Sequence, residues 1–203
     1  MLADCHLYLI TGDRPELGEF LEAAIAGGVD IVQIREKRLA DRELLPVLER
    51  VRELTRARGV PMVVNDRPDL ALLAEADAVH LGHEDLPLDA ARRLGLPVGT
   101  STHSGADIIA ADDRADYLGV GPVFATPTKP GRAAVGLELV RLAARRATTP
   151  WFAIGGIDVS TAPAVVEAGA TRIAVVRAIG DASDPEAAAR ALRTALAEAA
   201  VAA

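Results

Sequence analysis

Short apolar runs rich in β-branched residues alternate along the chain with longer stretches in which Leu, Ala and Val recur at helical spacing among Arg and Glu. This is the pattern of successive strand-helix units, because a strand covered on both faces is apolar throughout whereas a covering helix is apolar along one stripe. The runs predict strands at residues 7–10, 31–35, 61–64, 78–81, 97–100, 117–120, 151–154 and 172–176. The stretches between them predict helices at 17–26, 42–58, 68–74, 88–94, 106–111, 137–146, 161–168 and 185–200. Eight such units, with no Gly-x-Gly-x-x-Gly turn after the first strand, favour closure into an α/β barrel of the (β/α)8 TIM type over an open, doubly wound sheet.

The punctuation agrees. Asp41 and Asp184 are placed to cap helices, Pro185 sits at a first helical position, and Gly59 and Gly169 stand just beyond helix ends. Ala26-Gly27-Gly28-Val29-Asp30, Ala74-Glu75-Ala76-Asp77-Ala78 and Ala168-Gly169-Ala170-Thr171 each return the chain to a new strand, as if one turn were reused. The Ala-rich stretch 187–203 reads as a final helix that covers the barrel through Leu192 and Leu196 and frays beyond about Ala200.

Composition narrows this reading. The 203 residues fit one barrel domain spanning 1–203, and with aromatic residues at only 3% its core must be built from Ala, Val, Leu and Ile. A formal net charge of −7 argues against a general nucleic-acid or membrane surface, so any anion site must be local. Cys5, the only cysteine, excludes an intramolecular disulfide and a cysteine zinc site, and is expected to be a small buried residue near the first strand. Residues 1–10 carry Asp4 and His6 and lack the basic start and apolar core of a secretion signal, and no apolar run approaches the roughly 20 residues of a membrane span. A cytoplasmic protein is the expectation.

In such a barrel the loops after the strands build the active site, and nearly every unusual residue falls there. The second strand ends in Gln33-Ile34-Arg35-Glu36-Lys37, and alternation sends Gln33, Arg35 and Lys37 the same way. Arg35 can grip a phosphate with two N–H donors and Lys37 adds a mobile charge, so a diphosphate suits them, unless they form a solvated rim group with Glu36. Asp66 and Asp85 follow neighbouring strands and could share one hard cation; magnesium, which combines few protein oxygens with substrate phosphates, fits. The alternatives are a helix cap for Asp66 and a turn role for Asp85.

Gly155-Gly156 precedes a helix and can expose backbone N–H groups to an anion, or simply make a tight turn. The longest loop carries Thr126, Thr128 and Lys129 beside two prolines, Pro127 and Pro130, which stiffen what would otherwise be a disordered loop. His6 and His80 are expected to be satisfied interior residues, whereas His83 and His103 stand at the mouth within reach of a substrate. No metal-ligand spacing such as His-Glu-x-x-His occurs, and Trp151 is expected to pack under the helices.

Taken in order, Val32-Gln33-Ile34-Arg35-Glu36-Lys37, Asn65-Asp66-Arg67-Pro68-Asp69-Leu70-Ala71, Val79-His80-Leu81-Gly82, Gly119-Val120-Gly121-Pro122-Val123-Phe124 with Thr126-Pro127-Thr128-Lys129, and Ala153-Ile154-Gly155-Gly156-Ile157 resemble the thiamine-phosphate synthase family over almost the whole chain. The resemblance implies an Mg2+-dependent transferase that condenses 4-amino-2-methyl-5-(diphosphooxymethyl)pyrimidine with a thiazole phosphate and releases pyrophosphate. It implies that Gln33, Arg35, Lys37, Asn65 and Lys129 bind the pyrimidine diphosphate, that Asp66 and Asp85 hold the metal, and that Ser101 joins the pyrimidine site. Thr126, Thr128, Gly155, Gly156, Val176 and Arg177 would hold the thiazole phosphate, while Arg35, Lys37 and Lys129 would stabilise the departing pyrophosphate. His83 stands where the family usually has Gln, and Arg177 where it usually has Ser.

Two other functions are compatible with the fold. A thiazole tautomerase would use His103 as its base, but that branch tends to lose the aspartate after Asn and the Thr-Pro-Thr-Lys loop, both present here. A non-catalytic phosphate-ligand sensor would have no need of two metal carboxylates. The expected partners are the two small-molecule substrates, with no nucleic acid and no membrane, and assembly into a homo-oligomer is compatible with the sequence.

Overall fold

The computed structural model describes residues 2–126 and 133–202. Its strands are β1 (Leu7–Thr11), β2 (Ile31–Ile34), β3 (Met62–Asn65), β4 (Ala78–Leu81), β5 (Val98–Thr102), β6 (Tyr117–Val120), β7 (Trp151–Ile154) and β8 (Ile173–Val175). All pairs are parallel and β1 closes on β8, with Tyr8 level with Ile31 on one side and Ala174 on the other. The expected (β/α)8 barrel is therefore the observed fold. The covering helices are α1 (Leu17–Ala26), α2 (Asp41–Ala57), α3 (Pro68–Leu73), α4 (Leu88–Arg92), α5 (Gly105–Ala111), α6 (Gly136–Arg146), α7 (Ala162–Glu167), α8 (Arg177–Gly180) and α9 (Pro185–Ala202). The short helix α8, wedged between β8 and the long α9, has no counterpart in the sequence expectation, because four residues are too few to show a helical period.

Alternation along the strands sorts the interior into two cores. Outward positions such as Leu9, Val32, Val64 and Leu118 pack against the helices, whereas Tyr8, Ile31, Val63, Tyr117 and Phe152 fill the barrel itself. Helix α1 buries Leu17, Phe20, Leu21 and Ala24, and α2 buries Leu44, Val47, Leu48 and Val51, the spacing of one helical face. Fully burying one such leucine or valine contributes about 1.5–3 kcal/mol. Helix α9 packs against α1 and α7 with Leu192 and Leu196 buried, as its pattern predicts, and it continues to Ala202. Trp151 is buried in the outer core. Cys5 is buried too, where desolvation pushes its thiol up to about 12 and leaves it unreactive.

The return turn is indeed one motif reused. Val29, Val60, Ala76 and Ala170 donate their N–H groups to Ala24, Thr55, Ala71 and Val165 at 2.8–3.2 Å, the long-range bond of a Schellman cap. The preceding residue is left-handed in each, Gly28, Gly59 and Gly169 in three turns but Glu75 (φ 51°) in the fourth. Asp184 caps α9 by accepting from the Ala187 N–H at 2.9 Å. Asp41 does not cap α2. Ala40 takes that place, Glu43 reaches back to its N–H at 3.1 Å, and the Asp41 carboxylate is drawn instead to Arg67.

The floor of the barrel carries a second repeated device. Asp30, Asp77 and Asp116, just before β2, β4 and β6, donate their backbone N–H groups to Leu7, Met62 and Val98 at 2.8–3.2 Å. Their carboxylates accept the N–H groups of those same three residues at 2.8–2.9 Å, so each aspartate clips the start of the preceding strand at two points. His6 lies beside the first clip, partly exposed rather than interior, with Nδ1 3.0 Å from the Thr171 carbonyl. Among the described residues no helix is long and apolar enough to cross a membrane.

Candidate active site

Towards the mouth the inward positions change from apolar to polar. Gln33, Asn65, His80 and Ser101, from β2 to β5, line a cavity of about 420 Å³. Tyr8 and Tyr117 form its base, and Arg35, Thr126, Gly155, Gly156, Val176 and Arg177 lie around its walls. The Gln33 amide donates to the Tyr8 hydroxyl at 2.6 Å, the two phenol oxygens lie 2.9 Å apart, and Tyr117 Oη is 3.1 Å from His80 Nδ1. His80 Nε2 is in turn 3.0 Å from Ser101 Oγ. Gly99 makes this possible, since a Cβ there would lie 2.0 Å from the Tyr117 ring.

Beside the cavity stands a cluster of charge. Lys37 Nζ is 3.1 Å from Asp66 Oδ2, and Asp85 Oδ2 accepts the Gly82 N–H at 2.7 Å. Asp66 is left-handed (φ 63°), its N–H held by the His80 carbonyl at 2.8 Å, so it does not cap α3. That conformation is uncommon for a residue other than glycine and turns the carboxylate towards Asp85. Burial disfavours ionisation of both groups, but hydrogen bonds from Asp85 and Lys37 and the charge of Arg35 hold Asp66 below the usual carboxylate range. Burial and the neighbouring Asp66 raise Asp85 above it. Two carboxylates competing for one proton form a place where a cation would be welcome. The pair offers oxygen ligands, which suit a hard ion; among the described residues no cluster of three or more metal-binding side chains occurs.

Glu36 pairs with Arg38 at 3.3 Å rather than with Arg35 or Lys37. Its side chain, only 3% exposed, turns inward to accept the N–H groups of Lys37 (2.9 Å), Arg38 (2.7 Å) and Asp13 (3.2 Å). It thereby fixes the backbone on which Arg35 and Lys37 stand.

Across the cavity, the loops after β6 and β7 interlock. Val123 and Phe124 donate to the Ile154 and Gly155 carbonyls at 2.8 and 2.9 Å. A Cβ at Gly155 would meet the Pro122 Cα at 2.5 Å, and one at Gly156 the Phe124 Cβ at 2.7 Å, so this pair is demanded by packing as well as by its positive φ. Val176 precedes α8, which stands after the last strand, where barrels of this type frequently carry a short extra helix. Arg177 borders the cavity but pairs with Asp181 at 2.7 Å.

The two histidines at the mouth lie ring to ring, their centroids 5.1 Å apart, but only one borders the cavity. His103 borders the cavity, bonded through its ring to the Gly121 carbonyl and through its N–H to Asp107. His83 is not among the cavity walls; its Nε2 faces the Ser101 carbonyl at 3.0 Å.

Comparison with known proteins bears on this arrangement directly. Residues 7–179 match the family model described as thiamine monophosphate synthase. The chain belongs to the thiamine monophosphate synthase family. A thiamine-phosphate synthase of Mycobacterium sp. (strain JLS) is 52% identical over 96% of this chain and 94% of its own, and one of Deinococcus radiodurans is 54% identical over 94% and 73%. Among solved structures, the thiamine phosphate pyrophosphorylase of Pyrococcus furiosus superposes with a TM-score of 0.90 at 35% identity, covering 98% of this chain and 99% of its own.

Viewed as a member of the thiamine monophosphate synthase family, the enzyme brings Gln33, Arg35, Asn65, Ser101, Thr126, Gly155, Gly156, Val176 and Arg177 to one cavity. Lys37, Asp66 and Asp85 form the charged cluster beside it. Thr128 and Lys129 lie outside the described residues. Sequence reasoning passed over Tyr8, Tyr117 and the inward turn of Glu36. The signal for the tyrosines was present: the chain has two, and alternation from Ile10 and Gly119 sends both inward.

Proposed function

We propose that this enzyme joins 4-amino-2-methyl-5-(diphosphooxymethyl)pyrimidine to a thiazole phosphate, giving thiamine phosphate and pyrophosphate in the cytoplasm. The observation that carries the reading is the placing of Asp66 and Asp85 beside Lys37 and Arg35 on one side of the cavity, with Gly155-Gly156 and α8 on the other. Two anionic groups can then be held apart with a reactive centre between them. Gln33, Asn65 and Ser101 would seat the pyrimidine ring, Arg35, Lys37 and Lys129 its diphosphate, and Thr126, Thr128, Gly155, Gly156, Val176 and Arg177 the thiazole phosphate.

Asp66 and Asp85 would hold magnesium (Mg2+), which when bound supplies positive charge to the leaving oxygens. The bond between the pyrimidine methylene carbon and the diphosphate oxygen breaks with its electron pair leaving on pyrophosphate, and the thiazole nitrogen lone pair closes the new carbon–nitrogen bond. Arg35, Lys37 and Lys129 stabilise charge that grows on the leaving group. The cavity walls align the nitrogen with the methylene carbon and exclude competing water. Such a reaction asks for no enzymic nucleophile, in keeping with a site made of cations, amides and hydroxyls.

Incubation of the purified protein with both substrates and magnesium tests the reading. Pyrophosphate release that requires the thiazole phosphate is the expected result. Metal-independent isomerisation of the thiazole would identify a tautomerase instead, and phosphate-ligand binding without turnover a sensor.

A further inference from the structure

The barrel interior links two of the groups assigned to the pyrimidine through a chain that no substrate requires. It runs from Gln33 through Tyr8, Tyr117 and His80 to Ser101 in four contacts of 2.6, 2.9, 3.1 and 3.0 Å. Tyr8 is 2% and Tyr117 0% exposed, and burial raises both phenols far above their ordinary range, so each keeps its one hydrogen. The chain also draws heavily on a scarce resource. Of six aromatic side chains in 203 residues, Tyr8, Tyr117 and Phe152 stand edge to face at the barrel centre, and Gly99 is kept bare to admit one of them.

The Gln33 amide, which donates to Tyr8, gives the chain a direction. Tyr8 Oη accepts from the Gln33 amide, so its own hydrogen has Tyr117 as its acceptor; were Tyr117 the donor, the Tyr8 hydrogen would be buried without a partner among the described residues. Tyr117 then gives its hydrogen to His80 Nδ1, which places the ring hydrogen of neutral His80 on Nε2, directed at Ser101 Oγ. Gln33 keeps its carbonyl oxygen and second amide hydrogen for a ligand, and Ser101 keeps its hydroxyl hydrogen. Turning the amide over would oblige both phenols, the His80 tautomer and the Ser101 hydroxyl to turn with it.

This matters because an amide free to rotate cannot tell two pyrimidine edges apart. A 4-aminopyrimidine offers a ring-nitrogen acceptor beside an amino donor, and its 4-oxo counterpart offers a ring N–H donor beside a carbonyl acceptor. A freely turning glutamine satisfies either. We infer that Tyr8 and Tyr117 are positioning residues that lock the Gln33 amide in one orientation and so make the enzyme select a 4-aminopyrimidine over the 4-oxopyrimidine of the same shape. The inference deepens the proposed function and rests on it for the identity of the substrate.

The test is the ratio of kcat/KM for the 4-amino and 4-oxo pyrimidine diphosphates in wild type, Tyr8→Phe, Tyr117→Phe and the double variant. Wild type should favour the amino compound by about a hundredfold or more, as sites that hydrogen-bond one pattern reject its inverse. Each phenylalanine variant should lower that ratio about tenfold, the scale of one buried hydrogen bond lost. The double variant should lower it no further, because one break already frees the amide, and the KM for the thiazole phosphate should stay as in wild type. A folded Tyr8→Phe or Tyr117→Phe that slows both substrates equally would show a merely structural role and overturn the lock. A wild-type ratio near one would overturn it whether or not the variants fold. Wild type that makes no thiamine phosphate at all refutes the proposed function; wild type that makes it, with a ratio insensitive to the tyrosines, refutes only this inference.

Discussion

At the floor of the barrel carboxylates are saturated, and at its mouth they confront each other. Asp77 accepts the Met62 N–H and two donors from Arg52, and Asp30 accepts from His6, Leu7 and Arg193. Asp66 pairs with Lys37 and, facing Asp85, raises the cost of ionising it. Both ends use the same residue type at the end of a strand, so the difference lies in what surrounds it. A carboxylate ringed by backbone N–H groups and an arginine holds strands in place; two that face each other hold room for something else.

The sharpest way to break the comparison is to neutralise one carboxylate at each end. Asp66→Asn removes a charge expected to act on the leaving diphosphate, and turnover should fall on the order of a hundredfold, about 2.7 kcal/mol of lost transition-state stabilisation, with the melting temperature retained. Near-normal turnover would remove Asp66 from the site. Asp77→Ala should do the reverse. It leaves the Arg52 side chain, 16% exposed, without its counter-charge and the Met62 N–H without its acceptor. The expected loss is about 2 kcal/mol of stability, a fall in Tm of about 4–8 °C, with kcat/KM unchanged. A fall in kcat/KM at full stability would erase the distinction between the two ends.

The same division explains what was legible in the sequence. Strand positions were readable because a strand buried on both faces cannot hide its apolar run, and β4, β6 and β7 lie at the expected residues. The mouth was readable as a set of polar residues, because strand ends locate it. What the residues do to one another was less so. Asp66 met Lys37 and Asp85 through a left-handed turn that only a small share of aspartates adopt, and Glu36, a surface residue by type, is buried by its own backbone. The Gln33 to Ser101 chain joins residues 68 positions apart, and only closure of the barrel brings them into line.

Glu36→Gln sharpens the comparison by asking whether a mouth carboxylate can be of the saturated kind. Glutamine keeps an oxygen for Lys37 and Arg38 but offers N–H to the Asp13 amide, which needs an acceptor. Freed from that tie, the backbone under Arg35 and Lys37 loosens, and the KM for the pyrimidine diphosphate should rise about fivefold, on the scale of one hydrogen bond. The KM for the thiazole phosphate should not move. Equal changes in both constants would mean that Glu36 supports the fold generally and not this loop.

The smallest effect belongs to Asp112, a floor carboxylate at the end of α5 that accepts from the N–H groups of Thr148 and Thr149 at 2.8–3.1 Å. Burial alone would raise its pKa, but those bonds outweigh it and hold the group below the usual carboxylate range. A carboxyl depressed in the folded state adds stability that is fully present above its unfolded pKa, about 3.9, and is lost as pH falls through the folded value. Asp112→Asn should therefore cost under about 1 kcal/mol at neutral pH, and its stability should decline less steeply than wild type as pH falls below about 4. Urea unfolding at a series of acid pH values reads that slope. Parallel curves would place the acid sensitivity elsewhere than at Asp112.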